Sequence, residues 1–306
     1  PAARRAENEI QERLRDIDQR TENWGGVANA TARLLPLTEG EEQVRMALLL
    51  ADSCDAAGMG AEARSGLEYV HGLQPESDEI RERLKALYDA IGANRELATM
   101  LLAEAATVGE SDPEQAFMLS REAGKILIER EGDAEAALPA LAQAAEAKPD
   151  DHETLVLLAD GYIGAQYFSE AGELLEHAIQ NHPKRRSPEL SELQERMANL
   201  ALAAGDKNLE MQWLDAAVES DKNNMSAASR VARIAYDLGE LDVALGALRA
   251  VTLSQEDGPM SKAQAFLMQA RIAHQRGEGR RALLWARKAK SEDPELVEAN
   301  EFLAEL

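Results

Sequence analysis

From His152 to Pro183 apolar residues recur with the period of a helix. Leu155, Leu158, Ala159 and Tyr162 fall at i, i+3, i+4 and i+7, and Ala171, Leu174, Leu175 and Ala178 repeat the spacing. The spacing predicts two amphipathic helices, the second stopped by Pro183, which lacks an N–H and clashes with the preceding turn. A lone pair of short helices cannot bury all of this apolar surface, so the pattern requires similar hairpins stacked on either side.

The neighbouring sequence supplies them. Pro149 precedes Pro183 by 34 residues, and Ala137, Leu141 and Ala144 stand where the first stretch has Ala171, Leu175 and Ala178. Gly132 occupies a turn position that suits positive φ, and glycines return at the same phase as Gly58, Gly92, Gly239 and Gly277.

A 34-residue helix-turn-helix period with small residues at two places and a closing proline resembles the tetratricopeptide repeat. The early repeat matches through Leu50, Ala51, Gly58, Ala63, Leu67 and Pro75, and the last through Ala270, Gly277, Ala282, Ala289 and Pro294. The resemblance implies an all-α fold: an α-solenoid, wound as a right-handed superhelix, of about eight repeats with a C-terminal capping helix. The expected organisation is an N-terminal helical pair at 1–43, a degenerate repeat, continuous with a superhelix at 44–306.

Along the chain the repeats vary. A charged helix from Arg4 to about Arg20 carries Ile10, Leu14 and Ile17 on one side, before Asn23, Trp24 and Gly25-Gly26 lead into the next helix. Lys85 replaces the usual small residue of the third repeat and predicts looser packing. Thr107–Pro113 reads as a loop with Asp112 capping the following helix, and His182–Pro188 as a basic interruption suited to a hinge or protease site. The sixth repeat reads one residue short at its turn, with Trp213 packed between helices, and the last helix, from Glu295, closes the stack.

Composition narrows the function. Apolar residues make up 45% of the chain but aromatics only 4%, an Ala- and Leu-rich surface suited to close helix packing. With 33 Lys and Arg against 56 Asp and Glu the net charge is −23, which argues against nucleic acid or an anionic membrane and favours basic partners. Residues 1–153 carry −16 of it. The single Cys54 excludes an internal disulfide framework and reads as a buried small hydrophobe. No apolar run approaches the roughly 20 residues of a bilayer span. The chain begins at Pro1 without Met, which reads as a processed fragment, and its compartment is not legible.

The resemblance places particular first-helix positions in a concave groove. They are Asp52, Asp55, Glu79, Glu82, Asp89, Glu122, Glu129, Glu153 and Asp160 in the earlier repeats, and Asn199, Arg233, Tyr236, Arg271, His274 and Gln275 in the last three. The expectation is a non-catalytic adaptor that takes a partner's basic segment on this acidic row. The same acids also read as the wet face of amphipathic helices. The cationic clamp with which some family members hold a chaperone's C-terminal carboxylate is absent, since its positions carry Leu48, Asp52, Glu82, Arg83, Glu122 and Val156.

Two other readings stand beside the adaptor. One is the repeat arm of a larger enzyme, such as the glycosyltransferases that carry these repeats. The other is a homo-oligomer joined through its acidic N-terminal half and the basic segment Arg271–Lys290. Neither catalytic residues nor a cofactor is expected. Gly58-Met59-Gly60 and Gly277-Glu278-Gly279 fall at turns that already need glycine, and His152, His177 and His182 lack ligand spacing for a metal.

Overall fold

The computed structural model describes residues 2–255 and 258–306, apart from the side chains of 2–8 and 10, and contains no strand among them. The chain forms two compact units, Pro1–Gly132 and Asp133–Leu306. In the first, α1 (Ala2–Arg20), α2 (Trp24–Leu34), α3 (Gly40–Ala57), α4 (Gly60–Leu73), α5 (Asp78–Ile91), α6 (Asn94–Val108) and α7 (Pro113–Glu129) each pack on the next. A 3-10 turn, Leu35–Leu37, joins α2 to α3.

The second unit continues in the same manner. Its helices are α8 (Ala134–Ala147), α9 (His152–Gly164), α10 (Phe168–Gln180), α11 (Pro188–Ala203), α12 (Lys207–Ser220), α13 (Met225–Asp237), α14 (Leu241–Leu253), α15 (Lys262–Gln275), α16 (Gly279–Glu292) and α17 (Val297–Glu305). Each again packs on its successor, as repeat packing requires. Among the described residues, seventeen α-helices match in number eight hairpins and one closing helix.

A recurring turn sets the register. The N–H groups of Met59, Ala93, Tyr167, Asp206, Glu240 and Glu278 donate to the carbonyls of Cys54, Tyr88, Tyr162, Ala201, Ala235 and Ala273, at 2.8–2.9 Å. This 6→1 bond closes a helix on a left-handed residue. Gly58, Gly92, Gly205, Gly239 and Gly277 supply that residue at φ 69–79°, and Gln166 does so at φ 64°. Cys54 and Tyr162 are therefore equivalent.

The bond also corrects the reading of the sixth repeat. Its turn, Ala204-Gly205-Asp206, is as long as Leu238-Gly239-Glu240, and the mismatch comes from Glu210, buried where Ala63, Ala171 and Ala244 stand in other repeats. In the third repeat Lys85 does not leave a gap, because its Nζ lies 2.8 Å from Glu104 Oε2 across the hairpin. At the N-terminus α2 already includes Gly25 and Gly26, with Asn23 accepting the Gly26 N–H at 3.3 Å. A Cβ on Gly26 would fall 2.3 Å from Asp18 Oδ2, so a larger residue there would push the Asp18 and Asn23 side chains aside. Leu14 and Ile17 on α1 are exposed, and the Ile10 side chain lies outside the described residues.

Leu50, Leu67, Ile80 and Leu84 are fully buried in the first unit, and Leu141, Leu175, Leu193, Leu214, Leu248 and Ile272 in the second. Each contributes roughly 1.5–3 kcal/mol of burial. Alanines at helix crossings, Ala63, Ala171 and Ala282 among them, are fully buried too and let the backbones approach. Trp213 packs against two core clusters of the second unit, as its position suggests. Through Leu296, Ala299 and Phe302 the C-terminal segment covers Phe266, Leu267 and Trp285.

Candidate functional site

In the first unit Asp52, Asp55, Glu79, Glu82, Asp89, Glu122 and Glu129 are all exposed on α3, α5 and α7. Several are held by cations. Arg83 of α5 places Nη2 2.9 Å from Asp52 Oδ1 and also donates to Asp55, while Lys85 Nζ lies 2.6 Å from Glu82. Arg130 pairs with Asp89, and that bond, with Glu122 and Glu129 nearby, raises its guanidinium pKa further. Glu79 forms no ion pair among the described residues.

In the second unit Glu153 is exposed and Asp160 is half-buried, its carboxylate accepting two bonds of 3.2 Å from Arg196. Burial nevertheless outweighs Arg196 and pushes the Asp160 carboxyl above the usual carboxylate range. Arg196 also faces Glu192 at 3.4 Å, which itself lies 2.9 Å from His152 Nε2. Further along, Asn199 Oδ1 accepts from Arg230 at 2.6 Å, and Arg230 reaches the buried Glu210 at 2.7 Å. Tyr236 OH accepts from Gln275 Nε2 at 3.0 Å, the His274 ring meets Phe302 edge-on at 5.8 Å, and Arg233 and Arg271 are exposed.

These contacts repeat. An arginine in one first helix clasps an acid or amide of the preceding first helix, in the pairs Asp52–Arg83, Asp160–Arg196 and Asn199–Arg230. The acidic row is thus cross-braced, and sequence reasoning that counted only acids missed the braces. The signal was a constant offset. Arg83 and Arg230 each follow their partner by 31 residues, and Arg196 follows by 36 because His182–Pro188 intervenes.

A cavity of about 770 Å³ opens where α8, α9 and α10 meet the start of α11. Leu155, Leu158, Leu174, Ala178 and Leu193 form its apolar wall, and His152, His177, His182 and Lys184 stand among its polar lining. The residues 181–187 between α10 and α11 lie beside it, a longer connection than those that join α4 to α5, α8 to α9 and α12 to α13. Ser187 starts α11 by accepting the Leu190 N–H at 3.1 Å. No group of three or more His, Cys, Asp or Glu is arranged for a metal among the described residues. Cys54 is buried, and burial followed by Glu62 and Asp55 pushes its thiol up to about 11, away from the thiolate that reactivity requires. No described helix is long and apolar enough to cross a membrane.

Residues 130–200 match the family model described as tetratricopeptide repeat. No curated protein matches the chain. Among solved structures, one of Pseudomonas aeruginosa PilF shares 18% identity over 76% of this chain and 99% of its own, with a TM-score of 0.48. A tetratricopeptide repeat protein from Parabacteroides merdae shares 15% over 85% and 97%, with a TM-score of 0.44. YrrB, titled a TPR protein with an unusual peptide-binding site, shares 20% over 66% and 97%, with a TM-score of 0.46.

Proposed function

We propose that the chain is a tetratricopeptide-repeat protein and a non-catalytic scaffold whose first helices take a basic segment of a partner protein. The observation that carries this reading is the row of exposed carboxylates on α3, α5 and α7, from Asp52 to Glu129. Each exposed pair with an incoming Lys or Arg contributes less than about 1 kcal/mol, so the row acts chiefly on association rate. Arg83 and Arg130 hold the acids in fixed positions until the partner's cations replace them. In the second unit Glu153 and Asp160 continue the role, and Arg233, Tyr236, Arg271 and His274 offer contacts of different chemistry.

The test is stopped-flow binding of a fluorescent Lys/Arg-rich peptide at low salt. A variant carrying Asp52→Asn, Asp55→Asn, Glu79→Gln, Glu82→Gln and Asp89→Asn should associate about tenfold more slowly, with a shallower salt dependence. Equal rates would remove the row from the binding site.

Self-association is a second reading, favoured by Arg271, Arg280, Arg287 and Lys290, all exposed on α15 and α16 in an otherwise acidic chain. They complement the acids of another copy's first unit. Light scattering at high protein concentration and low salt should then show mass rising with concentration, whereas a strict monomer would eliminate the contact.

A further inference from the structure

Gln269 breaks the repeat rule in a particular way. The turn bonds make it equivalent to Leu50, Leu84, Leu158, Met197 and Val231, a core position that every one of those repeats fills with an apolar side chain. Gln269 is just as enclosed, at 2% exposure, and its Nε2 has no hydrogen-bond partner. A buried amide donor left unpaired is costly, and such departures from pattern concentrate where a ligand completes the bonding.

The surroundings name the ligand. Gln269 lines a cavity of about 200 Å³ bounded by Arg249 of α14, Arg276 just past the end of α15, and Glu278, Arg281 and Trp285 at or on α16. Against roughly 30 Å³ for each liquid water, that space suits a small ion with a few waters. Arg276 and Arg281 rest on exposed or partly exposed carboxylates, Asp242 and Glu278, each at 2.8 Å, while Arg249 has no carboxylate partner among the described residues. Guanidinium groups from α14, from the turn after α15 and from α16, together with the buried Gln269 and the Glu278 carboxylate, therefore line one small space in a protein of net charge −23. Donors approaching from several sides match a tetrahedral oxyanion better than a flat carboxylate.

We propose that this cleft between α14 and the α15–α16 hairpin binds a phosphate group, with Gln269 donating from the floor, Arg249 at the mouth, and Arg276 and Arg281 turning from their carboxylates to the ion. Free phosphate and a phosphorylated side chain share this chemistry. The site is separate from the acidic row and does not depend on it.

Isothermal titration of the whole chain at low ionic strength tests the site, with inorganic phosphate, O-phosphoserine and acetate as probes. One phosphate should bind per chain, about tenfold or more tighter than acetate. Gln269→Leu should weaken phosphate by a similar factor while melting no lower than the parent without phosphate, because leucine restores the filler of the other repeats. Arg249→Gln, at an exposed position, should weaken phosphate without touching the core, and keeps the test intact if the first variant folds poorly. Phosphoserine binding as well as phosphate would assign the site to phosphomonoesters, and binding of phosphate alone would assign it to the free ion. Silence from both phosphates, acetate binding as tightly, or undiminished phosphate binding by both variants would overturn the site.

Discussion

Lys85 Nζ lies 2.8 Å from Glu104 Oε2, and the two residues occupy places that other hairpins give to Ala51 and Val70, or to Ala270 and Ala289. The Lys85 and Glu104 side chains are 15% and 9% exposed, and Arg81 Nε approaches the same carboxylate at 3.7 Å. Removing one partner strands the other away from water. Lys85→Ala should cost about 3–5 kcal/mol, and adding Glu104→Ala should restore most of it. Chemical denaturation of the two single variants and the double variant measures this as a coupling, and additive losses would refute it.

Arg83 bridges two carboxylates of the preceding first helix. Its pairs are largely exposed, so Arg83→Ala should lower stability by no more than about 1 kcal/mol. The same change releases Asp52 and Asp55 to a basic ligand. Association with a Lys/Arg-rich peptide at low salt should become faster, and a slower rate would show that Arg83 itself contacts the ligand.

Gln166 sits at φ 64° in the place where six other turns have glycine. A residue with a Cβ pays roughly 1–2 kcal/mol for that conformation, partly offset by the greater freedom of an unfolded glycine. Gln166→Gly should therefore stabilise by about 0.5–1 kcal/mol, whereas Gly58→Ala should destabilise by about 1 kcal/mol. Thermal melts of both variants would show opposite shifts.

Leu175 is fully buried against Val156, Ala159, Leu193 and Met197. Leu175→Ala should cost about 2–5 kcal/mol through lost burial and the cavity left behind. A smaller loss in equilibrium unfolding would mean that the neighbouring large cavity lets this part of the unit collapse.

Two carboxylates respond to pH in opposite senses. The hydrogen bond from Arg64, 2.6 Å away, holds Glu96 below the usual carboxylate range. Its folded value lies under its unfolded value, so the pairing stabilises above about pH 4.3 and fades as pH falls through the folded value. Asp160, raised by burial, instead loses stability as pH rises through its folded value. In melts from about pH 3 to 7, Glu96→Gln should show a shallower loss towards acid than the parent, and Asp160→Asn should gain on the parent as pH rises. The reverse order in either pair would contradict the assigned cause.

How much was legible divides along the range of the interactions. Helices, their period and the left-handed turn glycines follow from residues within about one turn of each other, so Leu155, Leu158, Gly58 and Gly277 announce themselves in a single chain. The start of α7 was equally plain, because Asp112 needs only the Gln115 N–H beside it. Where consensus residues were replaced, local reading failed. Lys85 looked like a loose spot because Glu104 is 19 residues away, and Glu210 hid the true length of a turn until Arg230 was seen to reach it.

The sequence by itself determined an all-α chain of repeating hairpins, since helical period and turn stereochemistry act on neighbouring residues. Only the tertiary structure decided which acids are clasped by Arg83, Arg130 and Arg196, how the apolar wall at Leu155 and Leu193 is left open, and that Gln269 is buried without a partner. Ion pairing and enclosure depend on atoms brought together from different helices, and their energies vary steeply with distance and burial in ways that spacing along a chain does not encode.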